Sequence, residues 1–379
     1  MRILVLIHEF PPVGGGGGRV AQDLCQGLVK RGHEVRVLTA QCGDLPNHEE
    51  RDSILLLRLR SGRSELFRAD LKAMLGFVWA SFWEGLRQIR SWKPDIIHVH
   101  FAVPTGVSAY LLNLFTNVPY VITAHLGDVP GGVPEKTGKW FRWIFPLTPS
   151  IWRHAAGIAA VSAFTRDLAL NSYDVPIEVI HNGVDLSALD PGEIMVGNPP
   201  QVVFAGRFMP QKNLLQLVRS LTAVQDLPWV CTLIGDGPLR AEVETEIAHQ
   251  NLGDRFTLTG WMTPDQVIEQ YRRSDLLFMT SLSEGLPVVG VQAMAMGLAL
   301  VLSRVGGCVD LVEEGRNGYL FDPSDTPGFE YALRELLGNP YKLRSFRLAS
   351  RAWAQNFELE RIVIQYETLL ELASRKEKQ

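Results

Sequence analysis

The chain has 379 residues, 46% hydrophobic and 21% charged, with 34 Gly and 22 Pro. That length suits roughly two to three domains of ordinary size, and the composition excludes collagen-like, coiled-coil and wholly disordered chains. The formal charge of −4 excludes the global basic field that nucleic-acid binding calls for.

Ile3–Ile7 is a wholly apolar run, the pattern of a strand buried on both faces of a parallel sheet. The run stops at His8-Glu9, too early for an export signal. The glycines Gly14–Gly18 follow, then a helical pattern from Val20 to Val29 that ends at Gly32. Further strands are expected at Glu34–Thr39, Ile54–Leu59, Ile96–His100, Tyr120–Thr123, Gly157–Val161 and Glu178–His181, with helices between most of them. Asp185–Pro200 breaks the rhythm with Asp190-Pro191-Gly192 and Asn198-Pro199-Pro200 and reads as a linker. The alternation restarts with strands at Gln201–Ala205, Val230–Ile234, Arg255–Thr259, Leu276–Met279 and Ala299–Ser303. Helices at Asn213–Val224, Leu239–Gln250, Pro264–Arg273 and Val288–Met296 separate them. Such β-α alternation predicts α/β architecture: two Rossmann-like, doubly wound parallel-sheet domains facing a cleft. The expected division is residues 1–185, a linker at 186–200, a second domain at 201–355, and a C-terminal helix at 356–379 packing back on the first domain.

Cysteine usage adds a constraint. Cys25, Cys42, Cys231 and Cys308 are scattered without a CxxC pair, which argues against disulfides or structural zinc and suits a reducing compartment. No apolar stretch reaches the length of a spanning helix. The expected location is therefore cytoplasmic.

Three loops carry candidate chemistry. Gly16-x-Gly18-x-x-Ala21 formally matches a dinucleotide fingerprint, but six residues separate the strand from the glycines and no acidic residue closes the second strand. Nicotinamide binding is not expected. The bare amides near a helix start suit an anion; the plainer alternative is a flexible loop. Next, Arg207 and Lys212 lie on a loop between a strand and a helix, where two cations and a helix dipole can clamp a diphosphate; the alternative is two solvated bases. Finally, Glu284 stands just before a helix with Pro287 at its expected first position and Gln292 further inside. By itself Glu284 could be only a helix cap.

Taken together these segments resemble the retaining glycosyltransferases of group 1, or family 4, which have GT-B architecture. The likeness rests on Pro11–Gly18, Thr123-Ala124-His125, the segment from Val179 to Asp185, and Gly206-Arg207 with Lys212-Asn213. It continues through Gly235-Asp236-Gly237-Pro238, Gly260-Trp261, the Glu284 segment, Ala293-Met294-Ala295-x-Gly297, Gly306-Gly307 and Glu314-Gly315-x-Asn317-Gly318.

The resemblance implies an enzyme that moves a sugar, a hexosyl unit, from a nucleotide-diphosphate sugar to a glycan, lipid-linked or small-molecule acceptor with retention of configuration. It implies that Gly16 and Gly17 approach the donor phosphate or acceptor, and that His125 faces the reacting sugar. Arg207 and Lys212 would neutralise the diphosphate, and Glu284 would hold sugar hydroxyls. Gly260 and Met262 would meet the base through their backbone.

Two positions depart from the family. Gln292 stands where the family has a second glutamate for the ribose, and an amide can still bond a diol. Leu286-Pro287 replaces a Phe-Gly pair, and Pro287 has no N–H, so the amides of Leu286 and Val288 must serve. No two aspartates are spaced by two, so no Asp-x-Asp metal motif exists and no metal or other cofactor is expected. A nucleotide-sugar epimerase or hydrolase on the same fold, with Glu9 or Asp128 activating water, is the alternative, beside a non-catalytic sugar-binding protein.

A last expectation concerns an anionic membrane surface. Six of the nine tryptophans lie between Trp79 and Trp152. Phe77-Val78-Trp79 and Phe82-Trp83 mix with Arg68, Lys72, Arg87, Arg90 and Lys93, and Lys139–Phe145 and Trp152-Arg153 repeat the mixture. Residues 1–185 carry 19 basic against 17 acidic residues, while 186–379 carry 18 against 24. Rings and bases together suit a peripheral contact with the inner face of the cell membrane; the alternative is that the rings form ordinary core.

Overall fold

The computed structural model describes residues 1–66, 69–133, 146 and 148–376. The chain divides into two compact units, Met1–Gly183 with Leu359–Gln379, and Val184–Glu358.

The first unit opens with β1 (Arg2–Leu6), α1 (Gly16–Lys30), β2 (Glu34–Ala40), β3 (His48–Arg51) and β4 (Ile54–Leu59). It continues through α2 (Leu71–Trp92), β5 (Ile96–His100), α3 (Thr105–Thr116), β6 (Tyr120–Ala124), α4 (Thr148–Arg153), β7 (Gly157–Ala160), α5 (Ala163–Leu170) and β8 (Glu178–Val179). The sheet order is β3-β4-β2-β1-β5-β6-β7-β8, parallel except for β3 against β4. Ile3 pairs with Val35 on one side and Ile96 on the other. Both faces are covered, so side-chain parity sorts β1 into two cores. Ile3 and Val5 pack with Leu24 and Leu28 of α1. Leu4 and Leu6 pack with Leu112 of α3 and Trp152 of α4.

The second unit comprises β9 (Gln201–Ala205), α6 (Leu214–Thr222), β10 (Val230–Ile234), α7 (Arg240–His249), β11 (Phe256–Gly260), α8 (Pro264–Arg272) and β12 (Leu276–Met279). Then come α9 (Val288–Ala295), β13 (Ala299–Ser303), α10 (Cys308–Leu311), β14 (Gly318–Phe321), α11 (Thr326–Leu337) and α12 (Pro340–Trp353). Its six-stranded sheet runs β11-β10-β9-β12-β13-β14 and is parallel throughout. Residues 186–200 pack within this unit. Buried Asp275 accepts from the amides of Gly197 and Gln201 and pairs with Arg347, while Arg351 donates to the Leu186 carbonyl.

The last helix, α13 (Leu359–Lys376), belongs to the first unit. Val363 and Tyr366 join the core beneath α1. Gly27 of α1 permits the approach, since a Cβ there would lie 2.3 Å from a Val363 methyl. Glu367 is gripped by Arg31 and His33, each at 2.7 Å.

Two elements depart from the sequence expectation. Strand β3 reads His48-Glu49-Glu50-Arg51, which shows no apolar alternation; it is an edge strand, where charged residues discourage further pairing. Pro287 is not the first helical residue. Its extended backbone makes it the cap before Val288.

Candidate active site

In an open parallel sheet the ligand gathers where the strand order reverses, beyond the C-terminal strand ends. In the second unit the chain winds from β9 outward to β10 and β11, then returns to place β12 on the other side of β9. The switch point is therefore the β9–β12 boundary, and the loops leaving those strands are Gly206–Asn213 and Thr280–Pro287.

The two loops are laced together. Gln211 donates its side-chain amide to the Ser283 carbonyl at 2.6 Å, and the Leu282 amide donates to the Gln211 carbonyl at 2.8 Å. Thr280 Oγ1 donates to the Asn213 carbonyl at 2.9 Å. Lys212 closes a short 3₁₀ turn, and Asn213, with φ +50°, swings the chain into α6. This holds Lys212 Nζ 2.5 Å from Glu284 Oε1, with the two side chains only 16% and 8% exposed. Arg207 stands on the same loop, exposed. Phe208 beside it is buried, edge-on to Phe204, and its amide donates to the Asp236 carbonyl at 2.9 Å.

A third loop presses on Glu284. The Gly307 amide donates to the Glu284 carbonyl at 3.2 Å. A Cβ on Gly306, at φ +51°, would fall 1.6 Å from that same oxygen, and one on Gly307 would fall 2.0 Å from the Gly285 carbonyl. Only bare glycines admit this approach. The sequence shows the Gly306-Gly307 pair but carries no sign of the residue it touches.

Gly260 ends β11, where its carbonyl accepts from the Gly235 amide at 2.9 Å. Met262 is half-buried just before the Thr263–Gln266 capping box of α8. Both belong to the same sheet edge, but on the outermost strand rather than at the switch point. Leu286 is buried, Val288 opens α9, and Gln292 is half-buried on that helix.

In the first unit the order reverses between β1 and β5. Gly16 and Gly17 open α1 beside this boundary, and a Cβ on Gly17 would lie 2.6 Å from the Phe101 ring. His8 packs edge-on to Phe101 at 5.0 Å. His125 lies against Phe101 at 4.5 Å and shares a 3.0 Å contact between its Nε2 and His100 Nδ1. Burial, with His98 and His8 adding to it, pulls His125 down to about 3, so its imidazole is neutral at physiological pH.

Asp128 is not placed to activate water. It is buried, and its oxygens accept from the Ala102 amide at 2.6 Å and the His125 amide at 2.9 Å. It fixes the turn that carries His125. Burial pushes its carboxyl up to about 6 against the pull of those amides. The aromatics also divide. Trp92 and Trp152 are core, while Trp79 and Trp83 are exposed. Arg68 and Lys139–Phe145 lie outside the described residues. Among the described residues no helix is long and apolar enough to cross a membrane, and no three His, Cys, Asp or Glu side chains could hold a metal ion.

Residues 14–188 match the family described as Glycosyltransferase Family 4, and residues 191–353 match Glycosyl transferases group 1. The chain belongs to the group 1 glycosyltransferases. This transferase is similar to the 2-deoxystreptamine glucosyltransferase of Streptomyces kanamyceticus, 26% identical over 87% of this chain and 92% of that one. It is also similar to the alpha-maltose-1-phosphate synthase of Mycolicibacterium smegmatis, 28% identical over 93% of this chain and 94% of that one. Among solved structures, sucrose-phosphate synthase from Thermosynechococcus elongatus superposes with a TM-score of 0.84 at 22% identity, covering 97% of this chain and 98% of that one. Anabaena HepE in complex with UDP-glucose gives 0.78 at 21% identity, with 97% and 99% covered. These likenesses establish the GT-B fold.

Proposed function

We propose that this transferase moves a hexosyl unit from a nucleoside-diphosphate sugar to an acceptor hydroxyl, with retention of configuration and without a metal ion. The observation that carries the reading is the Lys212–Glu284 pair at the β9–β12 switch point. A diphosphate offers Lys212 a stronger anion than one carboxylate. Its arrival releases Glu284 to accept hydrogen bonds from sugar hydroxyls. Arg207 and the N-terminal amides of α9 add positive charge where the leaving diphosphate gains negative charge.

The bond from the anomeric carbon to the diphosphate oxygen breaks as the acceptor oxygen bonds on the same face. The acceptor proton passes to the departing phosphate oxygen, so no strong protein base is needed. His125, held neutral, serves as a hydrogen-bond partner rather than a proton carrier. The names of relatives support this donor class, since one is a glucosyltransferase and one neighbour was solved with UDP-glucose. The test is a screen of nucleoside-diphosphate sugars against acceptor mixtures, with the product anomer read by NMR. Transfer with the donor's own anomeric configuration supports the proposal. Inversion, or hydrolysis alone at full rate, contradicts it.

A further inference from the structure

Helix α2 has two unlike apolar sides. Asp70 caps it by accepting from the Ala73 amide at 2.7 Å, and Lys93, at φ +56°, ends it before Pro94. Between them Ala73, Phe77, Ser81, Gly85, Gln88 and Trp92 face inward. Gly85 meets Leu112 of α3 so closely that a Cβ would lie 2.6 Å from it. The opposite row, Leu71, Leu75, Trp79 and Trp83, repeats every four residues and is exposed. Trp79 is 67% exposed, Trp83 54%, and Phe115 at the end of α3 72%. Phe82 joins the row to Phe115 edge-on at 5.8 Å. Between the two helices runs an apolar groove of about 770 Å³, with Arg90 at its margin.

Isolated exposed apolar residues need no explanation, but a continuous apolar row along a helix of 22 residues does. The charges around it are mostly positive, with Asp70 at the N-cap the exposed exception. Lys72, Arg87, Arg90 and Lys93 are exposed. The helix has one acidic residue, Glu84, 17% exposed and turned toward Arg87 and Gln88. An apolar partner helix could use the groove but would leave these cations without a role. Rings that seat at headgroup depth beside cations that meet anionic headgroups use both.

We propose that the α2–α3 face is a docking surface for an anionic lipid bilayer. The surface stands on its own residues. Phe77 on the inner side of α2 reaches His8 at the β1–β5 switch point, 6.5 Å between ring centres. The docked helix is thus continuous with the loops that carry the glycines. If the proposed transfer holds, the acceptor is carried by the membrane; that acceptor assignment rests on the proposed function, and the lipid contact does not.

The experiment is co-sedimentation of the full chain, without sugar donor, with phosphatidylglycerol–phosphatidylcholine vesicles at about 1:2 and with pure phosphatidylcholine. Each is measured at low salt and at about 0.5 M salt, where surface charge is screened. The expected result is binding to the anionic vesicles that weakens in high salt. Trp79→Ala with Trp83→Ala should lower the partition coefficient about tenfold or more with the circular dichroism spectrum unchanged. Should that pair fail to fold, quenching of the native chain's tryptophans by brominated lipid decides, and its absence overturns the proposal. No binding to anionic vesicles at low salt, or undiminished binding by a folded double variant, also overturns it. So does a dimer in sedimentation velocity that the double variant dissociates, since a second copy would then cover this face. A chain that binds vesicles but transfers no sugar would leave the surface standing and refute only the function.

Discussion

Lys212 Nζ and Glu284 Oε1 meet at 2.5 Å, joining the loop after the first strand of the second unit to the loop after its fourth. A buried ion pair contributes little net stability, because desolvation offsets most of the attraction. Breaking one side of it is costly. The pair is therefore better understood as a pre-set exchange, in which an incoming diphosphate takes the lysine and frees the carboxylate.

That exchange predicts opposite effects of Glu284→Gln on binding and turnover. The amide no longer competes for Lys212, so nucleoside-diphosphate affinity should hold or rise by about 1 kcal/mol. Turnover should fall about a hundredfold, the usual scale for one misplaced polar contact to the reacting group. Titration calorimetry and initial rates measure the two. A parallel fall in both would mean that Glu284 contacts the nucleotide directly.

Gln292→Glu should leave the melting temperature unchanged, because the side chain is half-buried and nearly isosteric. Donor affinity should shift by about 1 kcal/mol, since a carboxylate accepts from a ribose diol but cannot donate to it. Unchanged affinity for both donor and nucleoside diphosphate would remove Gln292 from the site.

Chelation should not affect the reaction. With Arg207, Lys212 and a helix start supplying the positive charge, turnover in excess EDTA should match turnover in magnesium. A loss restored by magnesium would contradict the electrostatic account.

Acid should unfold the protein steeply. Burial pulls His98 and His125 down to about 3 and His100 well below its ordinary value. Unfolded, all three gain protons near pH 6.5. Their contribution is therefore fully present above that pH and is lost as pH falls toward about 3. Asp128, raised to about 6 by burial, opposes this by up to one proton between about pH 6 and 4. These four groups together should contribute a slope of about 3 kcal/mol per pH unit near pH 5. Urea unfolding at pH 7, 6 and 5 measures it, and His98→Phe should flatten the slope by about one proton. An unchanged slope in a folded His98→Phe protein would mean that His98 takes up its proton in the native state.

The doubly wound fold was legible because its strands are short apolar runs bounded by turn residues. Which face Ile3 or Leu4 would take was not, since both faces of β1 are buried and its one polar residue, Arg2, only opens the strand at its exposed end. The Arg207, Lys212 and Glu284 loops could be seen as strand-to-helix loops. Their joining through Gln211 and Gly306-Gly307 could not, because those contacts run through backbone carbonyls that any residue possesses. The support behind His125 was likewise hidden. Asp128 follows it by three residues, but the Ala102 amide it also holds belongs to another strand's loop. Tryptophan at 92 and 152 is core and at 79 and 83 is surface, a distinction of helix orientation that spacing alone does not carry.

The second unit is expected to hold a nucleoside diphosphate through Lys212 and Arg207. Titration calorimetry of UDP, GDP and ADP into the native protein in EDTA, repeated with Lys212→Ala and Arg207→Ala, tests it most directly. The expected result is saturable binding of at least one nucleotide, weakened by about 1.5–3 kcal/mol in each variant. Equal affinity in all three proteins, or no binding of any nucleotide by the native one, would contradict it.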